Sequence, residues 1–409
     1  MKKVLAVLAA ASAVLIAVAM RVLPATIEQQ PCAAHPTKTM ACVRYHEHGS
    51  ATQLRYDERC PKPSISAHQL LVAVRYAALN PCDFKFRRNR TPDFVLPKPK
   101  IPGADVAGTV VEVGAAVRGF AIGDEIAAMM PLLGTPWGAM AQFAPVSAAH
   151  AAKVPHGVSM RDAAAVPLVS LTVLQAFANL RQPSSSAPAG SDDEFMHLQG
   201  KRLLVQAGGG GVGSFALQWG SAVLRMKCST TGRAVNADKL RALGASAVVD
   251  YSAEPFERAA ALQGMDVVLD PMSFLYETRT LASGVLRTDG HTHYLNILGS
   301  DWTLPASGIE LGNGLTTWWN LACAKTQQLG CALLRKFGAV SGDSSCGGSY
   351  RYDVTAVSPD GDMLGKVLAK LASGEIKAVV DKVLPLARAQ EAFLYLERGH
   401  AHGKVLLKI

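Results

Sequence analysis

Lys201–Gln218, KRLLVQAGGGGVGSFALQ, decides the reading of this chain. Leu203, Leu204 and Val205 form a short apolar run that reads as a buried strand, and Phe215-Ala216-Leu217-Gln218 opens a helical pattern. Between them lies Gly208–Gly213. A strand, a glycine-rich turn and a helix give a GxGxxG pattern its meaning: a tight turn at Gly208, backbone N–H groups free to approach a diphosphate at Gly210 and Gly211, and close helix–strand packing at Gly213. The helix N-terminus then faces the anion. A glycine-rich turn with no ligand is the alternative.

The residues that follow select the cofactor. An NAD site places an acid about 20 residues on, where it binds the ribose hydroxyls. No Asp or Glu occurs between Gly208 and Asp238; the region reads Cys228-Ser229-Thr230-Thr231-Gly232-Arg233, with Lys239 beyond. Hydroxyls and a guanidinium suit a 2′-phosphate, so NADPH is expected over NADH. Ordinary solvated charges are the alternative for Arg233 and Lys239.

Outward from this stretch, 409 residues suffice for two domains and a large core. A hydrophobic content of 49% with 36 Gly and 22 Pro describes a globular α/β chain. The net charge of +9 comes without a Lys/Arg run longer than two residues and without aromatic–basic interleaving, so no nucleic-acid partner is expected. The eight cysteines form no CxxC pair, which argues against a disulfide framework or a structural zinc cluster and for mostly reduced thiols. At the N-terminus, Lys2 and Lys3 precede an unbroken apolar run, Val4 to Met20, followed by Arg21. Residues 1–21 read as a membrane anchor or signal segment, with Ala17-Val18-Ala19 resembling a cleavage site. An uncleaved anchor, with the enzyme facing a reduced compartment, is the reading carried forward, with the secretory route as alternative. Residues 22–37 read as a linker.

From Thr39 to Met130 short strands with glycine punctuation suggest a small β-rich unit. Helical spacing begins at Met160 and breaks near Pro167. From Gly200 to Asp301 strands and helices alternate, which predicts a doubly wound parallel sheet. An apolar stretch near 312–337, holding Trp318 and Trp319, reads as packing, with a subunit interface or membrane contact as alternatives. Asp362–Ala372 reads as helix and Lys404–Ile409 as a final strand.

Several blocks occur in one order: ALNPCDFKFR (Ala78–Arg87), IPGADVAGTVVEVG (Ile101–Gly114), FAIGD (Phe120–Asp124), AAAVPLVSLTVLQAF (Ala163–Phe177), the glycine loop, LGASAVVDY (Leu243–Tyr251) and DVVLD (Asp266–Asp270). On these the chain resembles the medium-chain dehydrogenase/reductase superfamily over Thr39–Ile409. Within it the chain is most similar to the quinone-oxidoreductase branch, and in its tail, Ala392–Ile409, the loop before Gly200 and the apolar insert near 312–337 it resembles the mitochondrial reticulon-interacting oxidoreductases. The resemblance implies an α/β fold: a GroES-like β-rich catalytic domain (38–160 and 351–409), a Rossmann domain (161–350) between its two parts, and a cleft holding NADPH. It also implies a mitochondrial location, with the endoplasmic reticulum membrane or secretory pathway as alternative, and allows a homodimer. Zinc-dependent members carry a Cys and a GHE motif where this chain has Asn80 and Gly103-Ala104-Asp105, so no metal is expected.

Hydride transfer to a quinone or activated alkene needs alignment and a few hydrogen-bond donors rather than a Lewis acid. Asn80 is the first candidate to orient substrate or nicotinamide, with a turn residue before Pro81 as alternative. Asp83 and Asp105 are candidates to organise the cleft. By the resemblance, Gly209, Gly211 and Val212 match the diphosphate loop and Thr172 a phosphate-proximal threonine. Gly232, Arg233, Lys239 and Tyr251 fall where a 2′-phosphate is held. Ile297 follows the strand lining the nicotinamide, Thr355 and Val357 offer backbone contacts, and His400-Ala401-His402 match a segment that closes on the cofactor, with His402 in place of an Arg. Leu224 stands where a Gly normally caps the helix, and Lys227 takes a usually apolar position. The functions that follow are an NADPH-dependent reductase of quinones or enones or, as alternatives, an enoyl-thioester reductase or a weakly catalytic NADPH-binding membrane adaptor.

Overall fold

The computed structural model describes residues 34–88, 93–181, 192–272, 275–281, 283–287, 291–297 and 350–409. The apolar run Val4–Met20 and the stretch 312–337 lie outside these residues. Among those described, no helix is long and apolar enough to cross a membrane.

The chain opens with β1 (Ala34–Arg44) and β2 (Arg55–Pro63), an antiparallel pair. The extended chain thus begins at Ala34, inside the stretch expected to be a linker. The pairing closes a hairpin that joins Cys42 to Cys60 in a disulfide. Of the four cysteines among the described residues, two are thus bonded where reduced thiols were expected. The two cysteines stand 18 residues apart, and only the pairing of the strands brings them together. Cys82 and Cys228 are free.

There follow β3 (Gln69–Ala78), α1 (Pro81–Arg88), β4 (Asp105–Val113), β5 (Glu125–Met129), β6 (Phe143–Ser147) and β7 (Ala151–Lys153). Two helices, α2 (Met160–Ala165) and α3 (Pro167–Phe177), come next and are separated at Val166. Pro167 starts the second helix where its missing N–H costs nothing. Then come β8 (Arg202–Val205), α4 (Gly211–Gln218), β9 (Lys227–Gly232), α5 (Ala237–Ala242), β10 (Ala245–Asp250), β11 (Val267–Asp270), α6 (Leu275–Leu281), β12 (His293–Ile297) and β13 (Arg351–Thr355). The chain ends with α7 (Gly361–Ala372), β14 (Val380–Pro385), α8 (Ala389–Glu397) and β15 (Lys404–Lys408).

Two large sheets result. One is β-rich, in the order β14-β15-β3-β4-β5-β7, with β6 paired to β3. It draws on both ends of the described chain, as the GroES-like resemblance implied. The other has the order β10-β9-β8-β11-β12-β13, and every pair in it is parallel. In order of appearance that is 3-2-1-4-5-6, the doubly wound Rossmann arrangement, in which ligands bind beyond the carboxyl ends of the strands. The fold is therefore α/β, as expected. Leu203, Leu204 and Val205 are fully buried at its centre, between β9 and β11.

The expected boundaries shift in two places. Helix α2 packs against β3, β4 and β5 and so belongs with the β-rich sheet rather than with the Rossmann unit expected from 161. Strand β13 pairs with β12, so the chain returns to the β-rich sheet at β14 rather than at residue 351. The irregular end of α4 is resolved by a π-turn over Trp219–Val223, and the left-handed position falls on Arg225 (φ 52°) rather than on Leu224, which is buried. Lys227 stands exposed at the first position of β9, where a charge is tolerated.

Candidate functional site

The carboxyl end of β8 turns sharply. Ala207 adopts a left-handed φ of 53°, a conformation costing about 1 kcal/mol for a residue with a Cβ. Two bonds hold it there: Ala207 N–H donates to Thr231 Oγ1 at 2.9 Å, and Gly208 N–H to the Thr231 carbonyl at 3.1 Å. A Cβ on Gly208 would stand 2.2 Å from Thr230 Oγ1, and one on Gly213 would stand 2.2 Å from the Ala207 carbonyl oxygen. These glycines let the loop lie against β9 and α4 against the loop. Gly209 and Gly210 differ, with nearest neighbours at 3.5 and 3.4 Å. Helix α4 begins at Gly211 with no side-chain cap, so among the described residues no side chain takes up its first N–H groups.

These groups border a cavity of about 560 Å³ between the two sheets, within the size range of cofactor pockets. One wall holds Gly209, Gly210, Gly211, Val212 and Gly213. A second, at the carboxyl end of β9, holds Gly232, Arg233 and Asn236, with Tyr251 beside them. Asn80 and the tail segment His400–Lys404 line the same cavity.

That segment is stitched to the glycine loop. Gly403 N–H donates to the Gly209 carbonyl at 2.9 Å, and Gly403 forms a bridge with Gly210. Gly403 needs its φ of 98°, and a Cβ there would stand 2.3 Å from the Val379 carbonyl. His402 N–H donates to Asp381 at 3.1 Å, and its ring Nε2 lies 3.3 Å from Asn236 Nδ2. The imidazole thus spans the gap between the glycine loop and the Arg233 corner.

The structure brings Asn80, Gly209, Gly211, Val212, Gly232, Arg233, Tyr251, His400, Ala401 and His402 to one cavity. It leaves others outside it. The Thr172 hydroxyl donates to the Leu168 carbonyl at 2.7 Å within α3, the role of a plain helix threonine. Lys239 is exposed on α5. Ile297 and Thr355 end adjacent strands β12 and β13, and Val357 follows. Thr355 Oγ1 is buried with no hydrogen-bond partner among the described residues.

Asp83 lies behind the cleft, lining a second, small cavity with Tyr45 and Lys100. Its carboxylate accepts from Asn80 N–H at 2.8 Å and from Gly103 N–H at 3.2 Å. Burial, aided by the nearby Asp105, pushes its pKa up to about 6. Burial likewise brings the Lys100 ammonium down to about 8, and that ammonium donates to the Thr135 and Trp137 carbonyls.

Sequence reading passed over three residues. Asp250, at the end of β10, accepts from Ala234 N–H and from both Ser252 N–H and Ser252 Oγ, so this acid braces the Arg233 turn. These bonds, that of the Ser252 hydroxyl first, hold its carboxyl below the usual range. Tyr276 of α6 lines the cavity beside Pro271 and Met272. Lys404, the first residue of β15, is buried and donates to both Asn80 Oδ1 and Asp105 Oδ2. Its only sequence signal was its place directly after the His400–Gly403 segment.

The donor set at Asn80 does not fit a zinc ion. The Asn80 oxygen and the Asp105 carboxylate are already taken by the Lys404 ammonium, which would repel a second cation. Among the described residues no three His, Cys, Asp or Glu side chains converge on one point. The glycine cradle does fit a dinucleotide, since a Cβ at Gly209 would enter space that the fold leaves open.

Two family models match the chain: "Alcohol dehydrogenase GroES-like domain" over residues 66–156 and "Zinc-binding dehydrogenase" over residues 243–407. A 2-methylene-furan-3-one reductase of Solanum lycopersicum is 30% identical over 375 residues, covering 90% of this chain and 79% of its own. A mitochondrial NAD(P)H oxidoreductase of Danio rerio is 29% identical over 388 residues, covering 89% of each chain. Among solved structures, a quinone oxidoreductase of Coxiella burnetii superposes with a TM-score of 0.70 at 22% identity, covering 91% of this chain and 100% of that one.

Proposed function

Because the chain belongs to the medium-chain dehydrogenase/reductase superfamily, we propose that it binds NADPH between its two sheets and reduces an activated alkene or a quinone. The observation that carries this is the uncapped start of α4 beside the open glycine cradle, with Arg233 at the far corner of the same cavity. When bound, NADPH supplies the hydride. Backbone N–H groups at Gly209, Gly211 and Val212 hold the diphosphate, and the positive end of the helix favours its charge. Arg233 binds the 2′-phosphate from an exposed position, which gives selectivity over NADH. His402 and Asn236 close the cavity between these two anionic groups. The tail segment, bonded to the glycine loop through Gly403, shuts out water on that side.

The names of two relatives, an enone-type reductase and an NAD(P)H oxidoreductase, support the activity. The mitochondrial location in the name of the second supports the same address here. Attachment to a membrane through Val4–Met20 completes the proposal.

Titrating the purified chain with NADPH and NADH, followed by nucleotide fluorescence, tests the reading. Saturable binding that favours NADPH by tenfold or more is expected. Equal affinities would remove Arg233 from the site, and binding of neither would overturn the cofactor assignment.

A further inference from the structure

Lys404 has no role in the scheme above, yet it is one of the most constrained side chains in the cavity wall. Its Nζ donates to Asp105 Oδ2 at 2.9 Å and to Asn80 Oδ1. Asn80 Nδ2 donates to the same Asp105 oxygen at 2.9 Å, and Asp105 Oδ1 accepts from Leu168 N–H at 2.7 Å. The lysine and aspartate side chains are 5% and 0% exposed. Its stem crosses Gly211, where a Cβ would stand 3.0 Å from Lys404 Cδ.

The count of hydrogen bonds is informative. An ammonium has three N–H bonds, and this network uses two. The Asn80 amide donates to Asp105 and, at 3.5 Å, to the Ala78 carbonyl, and its oxygen accepts from Lys404, so both of its N–H bonds are engaged before a substrate arrives. Asp105 accepts three bonds, from Lys404, Asn80 and Leu168. What the triad offers the cavity is a fixed cation with one N–H outside the network.

We propose that Lys404 is a catalytic residue that donates this third hydrogen bond to the carbonyl oxygen of the electron acceptor, with Asn80 and Asp105 as its positioning residues. This rests on the reductase reading and names the electrophile which that reading lacks. As hydride from the reduced nicotinamide reaches the β-carbon of an enone, a C–H bond forms and the alkene π bond breaks. The electron pair passes through the conjugated system to the carbonyl oxygen. The acceptor is reduced, the nicotinamide is oxidised, and a solvent proton completes the product. A quinone places charge on its oxygen in the same way. A donor already aimed at that oxygen, in a site shielded from water, stabilises the charge without reorganising. Asp105 balances the lysine, so the pair carries no net charge before the reaction begins.

The test uses 4-nitrophenol, a neutral phenol with a coloured anion that mimics the oxyanion. Bound to the wild-type chain, its ionisation is expected to shift down by about one pH unit or more relative to solution. The double variant Lys404→Met/Asp105→Asn removes both charges, so neither is left buried alone. With its fold checked by thermal melting, it is expected to lose the shift, while Lys404→Arg retains part of it. In turnover, the double variant is expected to lower kcat by about a hundredfold, with NADPH affinity within about threefold of wild type. A wild-type chain that binds the phenol without a shift, or does not bind it, overturns the proposal. So does a double variant that keeps the shift. None of these outcomes needs NADPH turnover, so a chain that never oxidises NADPH fails the reductase reading separately.

Discussion

Alanine at Gly209 and alanine at Gly213 separate the cradle's chemistry from its architecture. At Gly209 the new methyl meets nothing nearer than His402 Nδ1 at 3.5 Å, an ordinary contact. The backbone there is not left-handed, so alanine fits and restricts the unfolded chain, worth up to about 1 kcal/mol of added stability. The same methyl stands where a diphosphate must approach. Losing one charge-assisted hydrogen bond costs about 1.5–3 kcal/mol, or a roughly 10- to 150-fold weaker Kd for NADPH. At Gly213 the methyl would stand 2.2 Å from the Ala207 carbonyl oxygen and 2.8 Å from Gly208 Cα, both backbone atoms. Helix and loop must part by about 1 Å, an overpacking cost of about 1–3 kcal/mol that outweighs alanine's roughly 1 kcal/mol helix advantage. Thermal melting without nucleotide should therefore place Gly209→Ala at or above wild type and Gly213→Ala below it. Fluorescence titration should show weakened NADPH binding in Gly209→Ala. Wild-type affinity in Gly209→Ala would refute the cradle as the diphosphate site, and wild-type stability in Gly213→Ala would refute the packing argument.

Three further outcomes follow. Arg233→Ala should weaken NADPH about tenfold and leave NADH nearly unchanged, read by parallel titrations, since one exposed guanidinium discriminates through the 2′-phosphate alone. Replacing Cys42 and Cys60 together by Ala should cost about 3 kcal/mol in denaturant unfolding, the loop-closure value for an 18-residue separation, and reductant should lower the wild-type Tm but not the variant's. Asp83 has a folded pKa near 6 against 3.8 when unfolded, so the folded state holds this proton more tightly. Its stabilisation is present below about pH 4 and is lost as pH rises through 6, a loss of about 3 kcal/mol; a difference between wild type and Asp83→Asn that stays flat from pH 4 to 7 would contradict it.

The Rossmann half was legible because its signals are local. The apolar run at Leu203–Val205, the glycines and the start of α4 are contiguous in sequence and adjacent in space. The Gly232–Arg233 corner was legible for the same reason. What escaped is what long-range pairing creates. Cys42 meets Cys60 only because β1 and β2 pair, and no spacing rule announces it. Lys404 meets Asn80 because β15 is laid beside β3, joining positions 324 residues apart. Asn80 was singled out for orienting substrate and does line the cavity, but its bonds to Lys404, Asp105 and the Ala78 carbonyl could not be read from its neighbours in sequence. Thr172 was chosen by position in a matching block, yet the α3 backbone at Leu168 takes its hydroxyl. Asp83 was placed at the cleft by proximity to Asn80, and the first turn of α1 carries it behind the wall.

The measurement that bears most directly on the central claim is a single-turnover mix of the NADPH-loaded chain with a short-chain quinone and, separately, with an enone, following NADPH absorbance and product together. The account predicts one acceptor molecule reduced per NADPH oxidised, with at least one of the two acceptors. NADPH that stays bound and unoxidised with both would contradict it.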